Sequence, residues 1–205
     1  MDDAQWASAC RELSRRDPVM KELIRTFKGS RIVSRGQPFV TLVRSVVGQQ
    51  ISVKAADAIW TRFCVLCPCI TPRHVLALTH DELRSVGLSV RKVEYIHAVA
   101  EFFDTRRVGP AYWARRTDDE IIAELSSIRG IGRWSAEMFL MFTLLRPNVF
   151  PTDDIGLLRG LEKHYGVGRL TPAAAKHQFF EQFSPWNTVA TWFLWRSLDP
   201  VEVQY

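Results

Sequence analysis

The sequence predicts an all-helical fold, and three observations carry that prediction. Helix-start signals recur: Asp17-Pro18, Thr71-Pro72 and Thr171-Pro172 each set a capping residue before a proline at the first helical position. Apolar residues recur with the 3.6-residue period of a helix, and Gly87, Gly130 and Gly166 close such segments. Strict apolar/polar alternation, the mark of a half-buried strand, does not recur.

Taken in chain order, about ten helices are expected. Asp17-Pro18 starts the first that is clearly signalled. Periodic apolar runs follow at 38 to 49 and 53 to 66, separated by Gly48-Gln49-Gln50 and the residues after it. Thr71-Pro72 starts the next, and the run 89 to 103 begins shortly after Gly87. Thr117 and Glu120 form a capping box for 118 to 128, in which each side chain meets the other's backbone N–H. Runs at 133 to 145 and 154 to 165 come next, and Thr171-Pro172 opens a further one. Connections are short, and no internal repeat is visible.

The chain has 205 residues, enough for one large domain or two small lobes with a sizeable core. Apolar residues at 47% and charged residues at 24% are ordinary for a globular protein, so no long disordered tract is expected. A formal charge of +5 suits a polyanionic partner but raises the odds of nucleic-acid binding only slightly. Cys64, Cys67 and Cys69 stand close together in "CVLCPC" with no matching Cys/His pair elsewhere, and Cys10 is alone. They read as free thiols at a helix end, with no metal. No leader and no apolar run of about 18 residues occurs, so a cytoplasmic protein without membrane attachment is expected, nucleoid-associated if bacterial.

The stretch "SSIRGIGRWSAE", Ser126 to Glu137, reads as a helix that stops at Gly130-Ile131-Gly132 and restarts at Arg133, a tight helix-hairpin-helix. Glycines permit positive φ and close approach of another backbone, and Ile131 can pin the turn to the core. The second helix directs its first N–H groups outward, an anion site suited to phosphate, with Arg129 and Arg133 on either side. A plain helix corner with solvated arginines is the bland alternative. In "VFPTDDIGLLRG", Asp153 and Asp154 precede a helix, and two adjacent acids exceed what one cap requires. One can cap while the other faces a cleft. Trp134, Trp186, Trp192 and Trp195 are by default core, yet a tryptophan directly after a phosphate-holding turn could stack on an extruded base. Gln49 and Gln50 interrupt two apolar helices and could fill the gap that such a base leaves.

In order, "VGQQISVKAADAI", "GLSVRKVEYI", "IRGIGRWSAEMFLMF" and "VFPTDDIGLLRG" resemble the alkylation-repair DNA glycosylases of the helix-hairpin-helix superfamily, of the DNA-3-methyladenine glycosylase II type. The resemblance runs from about residue 35 to about 198. It implies two helical lobes flanking a cleft, about 30 to 110 forming one lobe and the flanking helices the other, within a single core spanning 1 to 205. It implies that Gly130, Gly132 and Arg133, with Ile131 and Arg129, bind the DNA backbone, and that Gln50, beside Gln49, wedges into the duplex. Asp154 matches the catalytic carboxylate and Asp153 a helix cap or support. Trp134, Trp195 and Met138 match the base pocket.

Three departures stand out. The extra N-terminal β-rich domain of longer relatives is not expected, Arg129 stands where many hairpins have proline, and Met138 where the most similar type has an aromatic. Relatives that cut the strand carry a lysine at the position of Trp134, and others bind an iron–sulfur cluster through four cysteines that have no counterpart after Cys69. The implied protein is a cofactor-free, monomeric, monofunctional hydrolase acting on double-stranded DNA with alkylated bases. A non-catalytic hairpin DNA-binding protein and an all-helical scaffold remain as alternatives.

Overall fold

The computed structural model describes residues 1–34 and 36–198, which form 13 helices and no strand among the described residues. The chain divides into two compact units, 1–34 with 140–205 and 35–139, and the division falls inside one helix. The middle unit thus extends to Phe139 rather than closing near 110, and it carries the hairpin turn. Two of the helices beyond those expected, His80–Ser85 and Pro110–Ala114, are short ones of six and five residues, too brief to show a periodic stripe.

The first unit holds α1 (Asp3–Arg16) and α2 (Pro18–Thr26). Asp17 is the N-cap of α2, accepting from the Met20 N–H at 2.9 Å with Pro18 at the first helical position. Its other oxygen accepts from the Tyr165 hydroxyl at 2.7 Å and from the Gln182 amide. This buried carboxylate therefore joins three helices through neutral donors.

The middle unit contains α3 (Pro38–Gly48), α4 (Val53–Leu66), α5 (Pro72–Ala77), α6 (His80–Ser85), α7 (Val90–Thr105), α8 (Pro110–Ala114) and α9 (Asp118–Ser126). Here α7 packs against α3 and α5, burying Val93, Ile96, Val99 and Phe103 on its inward side. Each such side chain contributes about 1.5–3 kcal/mol of transfer free energy. The expected Thr117–Glu120 capping box is formed. Cys67 is the C-cap of α4, all four cysteines are free thiols, and no group of three metal-ligating side chains occurs among the described residues.

Helix α10 (Arg133–Phe142) ends three residues before the expected boundary. Leu145 takes a left-handed conformation at φ 52° and the Arg146 N–H closes back on the Leu140 carbonyl, turning the chain before Pro147. In the first unit α11 (Ile155–Tyr165), α12 (Pro172–Phe183) and α13 (Asn187–Arg196) complete the chain. Gly160 lets α11 approach α13 closely, since a Cβ there would stand 3.0 Å from the Leu194 Cβ. Trp186 and Trp192 are structural, donating to Glu12 Oε2 at 2.9 Å and to the Ser30 hydroxyl at 3.1 Å. No helix among the described residues is long and apolar enough to cross a membrane.

Candidate active site and hairpin

The hairpin turn and the first residues of its second helix lie in the middle unit. After α9, the Ile128 N–H returns to the Leu125 carbonyl and the Ile131 N–H to the Ile128 carbonyl, closing two successive tight turns. Ile128 and Ile131 are both buried, so the turn is fastened by its apolar residues. The Gly132 carbonyl accepts the first bond of α10, from the Ala136 N–H at 3.1 Å, which leaves the amides of the first turn outside the helix's own ladder.

The two glycines differ. Gly130 has φ 92°, and a Cβ on it would lie 2.1 Å from the Tyr95 ring. Gly132 has an ordinary φ and open space where a Cβ would project. The fold itself therefore demands the first glycine but not the second, beside which the space is open.

The flanking cations are tethered. Arg129 pairs with Glu94 of α7 at 2.9 Å, and Arg133 donates through Nε to Glu137 Oε1 at 2.9 Å. Glu137 is almost wholly buried while the Arg133 side chain is half exposed, so the carboxylate fixes the near side of the guanidinium and the remainder faces water. Both guanidiniums keep donors for an anion in addition to these partners.

At the α3–α4 junction the two glutamines take separate roles. Gln49 donates its side-chain amide to the Gly130 carbonyl at 2.9 Å. Gln50 is exposed and held in a left-handed conformation at φ 58°, rare for a residue with a Cβ. Gln49, expected at the DNA, thus faces the hairpin, and Gln50 alone projects. Trp134 is 39% exposed, whereas Met138 one turn later is buried at 8%.

In the first unit, Asp154 is the N-cap of α11, accepting from the Leu157 N–H at 2.7 Å. The expected assignment of the cap to Asp153 is thus corrected by one residue: Ile155 is already helical, so the residue before it fills the cap, and Asp153 stands exposed outside the helix. The same Oδ1 of Asp154 accepts from the Trp195 indole N–H at 2.8 Å. Trp195 is only 4% exposed, with its ring stacked on Phe142 at 6.1 Å, so it orients the carboxylate and offers little open face. Space for the pair comes from Gly156, where a Cβ would lie 3.0 Å from both Asp154 Oδ1 and Trp195 Nε1. A half-buried carboxylate at the start of a helix, with two donors on one oxygen, is held in a fixed direction.

An all-helical chain with a glycine-turn hairpin, flanking arginines and such a fixed acid is a helix-hairpin-helix DNA repair protein. The chain belongs to the HhH-GPD superfamily of base excision DNA repair proteins, whose pattern matches residues 43–185. It is similar to DNA-3-methyladenine glycosylase 1 of Schizosaccharomyces pombe, 29% identical over 180 residues that make up 86% of this chain and 79% of that one. Among solved structures it is similar to a DNA-3-methyladenine glycosidase from Bacillus halodurans, with a TM-score of 0.82 and 33% identity over 90% of this chain and 86% of the other. It is also similar to the S. pombe 3-methyladenine DNA glycosylase in complex with abasic DNA, with a TM-score of 0.76 and 30% identity over 93% and 96% of the two chains.

Sequence reasoning missed Tyr95, Glu94, Lys92, Glu137 and Gly156. Only Gly156 left a readable signal, the Gly-x-x-x-Gly spacing of Gly156 and Gly160.

Proposed function

We propose that the protein is a monofunctional DNA glycosylase that hydrolyses the N-glycosidic bond of alkylated purines of the 3-methyladenine kind in double-stranded DNA. The observation that carries the reading is the Asp154 carboxylate, fixed on one oxygen by the Leu157 N–H and the Trp195 indole. The relatives named above support the lesion class.

The chemistry follows from the substrate. Alkylation at a ring nitrogen makes the base cationic, so it departs as a neutral molecule and needs little help from an acid. Positive charge develops instead on the deoxyribose as the C1′–N bond breaks. Asp154 stabilises that charge and orients or deprotonates the attacking water. The half-exposed face of Trp134 attracts the cationic base by about 0.5–2 kcal/mol. Gln50 occupies the space the base vacates, and the amides after Gly130-Ile131-Gly132 hold a phosphate without reading sequence. Trp195 is an orienting residue for Asp154, and no cofactor enters any step.

Trp134 in the place of the strand-cutting relatives' lysine leaves no amine there to attack C1′, so the product is an intact abasic site. The test is incubation with methylated duplex, chromatography of the released bases, and borohydride treatment of a parallel sample. Free 3-methyladenine with DNA that breaks only after alkali is expected. No released base refutes the glycosylase reading and leaves a non-catalytic hairpin DNA-binding protein, while efficient borohydride trapping of a protein–DNA adduct refutes the monofunctional one.

A further inference from the structure

The first turns of α7 touch both elements assigned to DNA. Lys92 donates its ammonium to the Val47 carbonyl at 2.7 Å, near the end of α3 and three residues before Gln50. Tyr95, three residues further on and so on the same face, lies against Gly130 so closely that any Cβ would enter its ring. Glu94 pairs with Arg129 beside the turn. Across the gap, Gln49 donates to the Gly130 carbonyl at 2.9 Å. The junction that carries Gln50 and the hairpin turn are therefore joined twice, once directly and once through α7.

Gln50 itself sits in a left-handed backbone conformation that is costly for a residue with a Cβ and persists only where neighbours over-determine it. Its preceding residue is anchored by the Gln49 amide, and the end of α3 by Lys92. Lys92 is partly buried, and that burial lowers its pKa, so its ammonium is invested in the carbonyl rather than offered to solvent.

We infer that Gln49 and Lys92 are positioning residues that lock the Gln50 turn to the hairpin, so that gripping a phosphate and filling the vacated base space occur in one fixed register. This rests on the glycosylase reading for its biological meaning, but the linkage can be measured without bond cleavage.

The test uses the full chain and a duplex containing a tetrahydrofuran abasic analogue opposite 2-aminopurine, whose fluorescence reports unstacking when a side chain enters the helix. Gln49→Leu, Gln50→Ala and the double variant are compared at saturating protein, alongside single-turnover base release from methylated duplex. Gln49→Leu lowers the fluorescence change and the release rate by about three- to tenfold, the reach of one neutral hydrogen bond. The double variant is no worse than Gln50→Ala, because Gln49 acts through its neighbour. Additive losses make Gln49 an independent DNA contact and overturn the inference, and unchanged values in a folded Gln49→Leu protein do so as well. Should Gln49→Leu not fold, Lys92→Met, which keeps the stem and removes the donor, must show the same non-additivity with Gln50→Ala. A wild-type protein that gives the fluorescence change but releases no base sinks the glycosylase reading alone; one that gives neither sinks both.

Discussion

Replacing Gly156 with alanine places one methyl group between the carboxylate and its indole donor. The new Cβ would stand 3.0 Å from Asp154 Oδ1, from Trp195 Cδ1 and from Trp195 Nε1, closer than ordinary carbon contacts, so one of the pair must give way. The 2.8 Å bond between them is the contact that lengthens. A hydrogen bond to a charged acceptor contributes about 1.5–3 kcal/mol. If that fixed direction is used in the transition state, single-turnover base release falls by about ten- to hundredfold. Stability responds less, because alanine is a better helix former than glycine by up to about 1 kcal/mol and the Leu157 cap remains. The net loss is then about 2 kcal/mol at most, a fall in Tm of several degrees. Trp195→Phe, which deletes the same donor, reproduces the rate loss, and adding Gly156→Ala to it costs little more. A folded Gly156→Ala protein that releases base within twofold of the wild-type rate refutes the orienting role of Trp195.

Other perturbations separate fold from binding. Gly130→Ala destabilises by about 2–5 kcal/mol through its positive φ and the Tyr95 ring, whereas Gly132→Val stays folded yet weakens binding to damaged and undamaged duplex alike, as thermal melts and fluorescence anisotropy will show. Arg133→Ala flattens the salt dependence of duplex affinity by about one phosphate contact, read from the slope of log K against log salt. Asp17→Ala costs about 2–4 kcal/mol in a denaturant melt, since it removes a cap and strands the Tyr165 hydroxyl and Gln182 amide. Burial, with Asp17 beside it, raises the Tyr165 pKa, so the folded state keeps a proton that the unfolded chain gives up near pH 10. That contribution to stability is full below about pH 10 and declines as pH rises further, and the alkaline decline is lost in Tyr165→Phe.

How much of this was legible in the sequence depended on how local the cause was. The hairpin was readable because its causes are adjacent residues: a glycine forced to positive φ, a buried isoleucine, and a helix restart. Capping pairs such as Thr117–Glu120 were readable for the same reason. The roles of Asp153 and Asp154 turned on a one-residue helix start, and either acid satisfies the local rule, so the cap fell to the wrong neighbour. What fixes Asp154, the indole of Trp195, lies 41 residues away on another helix and left no local trace. The contacts of Lys92 and Tyr95 are similarly long-range, and the sequence "GLSVRKVEYI" shows only an amphipathic helix. The middle unit's true end at Phe139 was hidden because it falls within a continuous helix, with no turn residue to mark it.

The most direct test of the account is single-turnover release of methylated purines by Asp154→Asn, measured beside duplex affinity and Tm. Asparagine keeps the side chain's shape and caps about as well as aspartate, so the fold should hold. It lacks the charge that the proposed mechanism sets against the developing sugar cation, so release should fall by orders of magnitude while affinity for DNA stays constant or rises. Asp153→Asn, altering an exposed residue outside the helix, should leave release nearly unchanged. A folded Asp154→Asn protein that frees bases at the wild-type rate, or a loss confined to Asp153→Asn, contradicts the carboxylate mechanism assigned to Asp154.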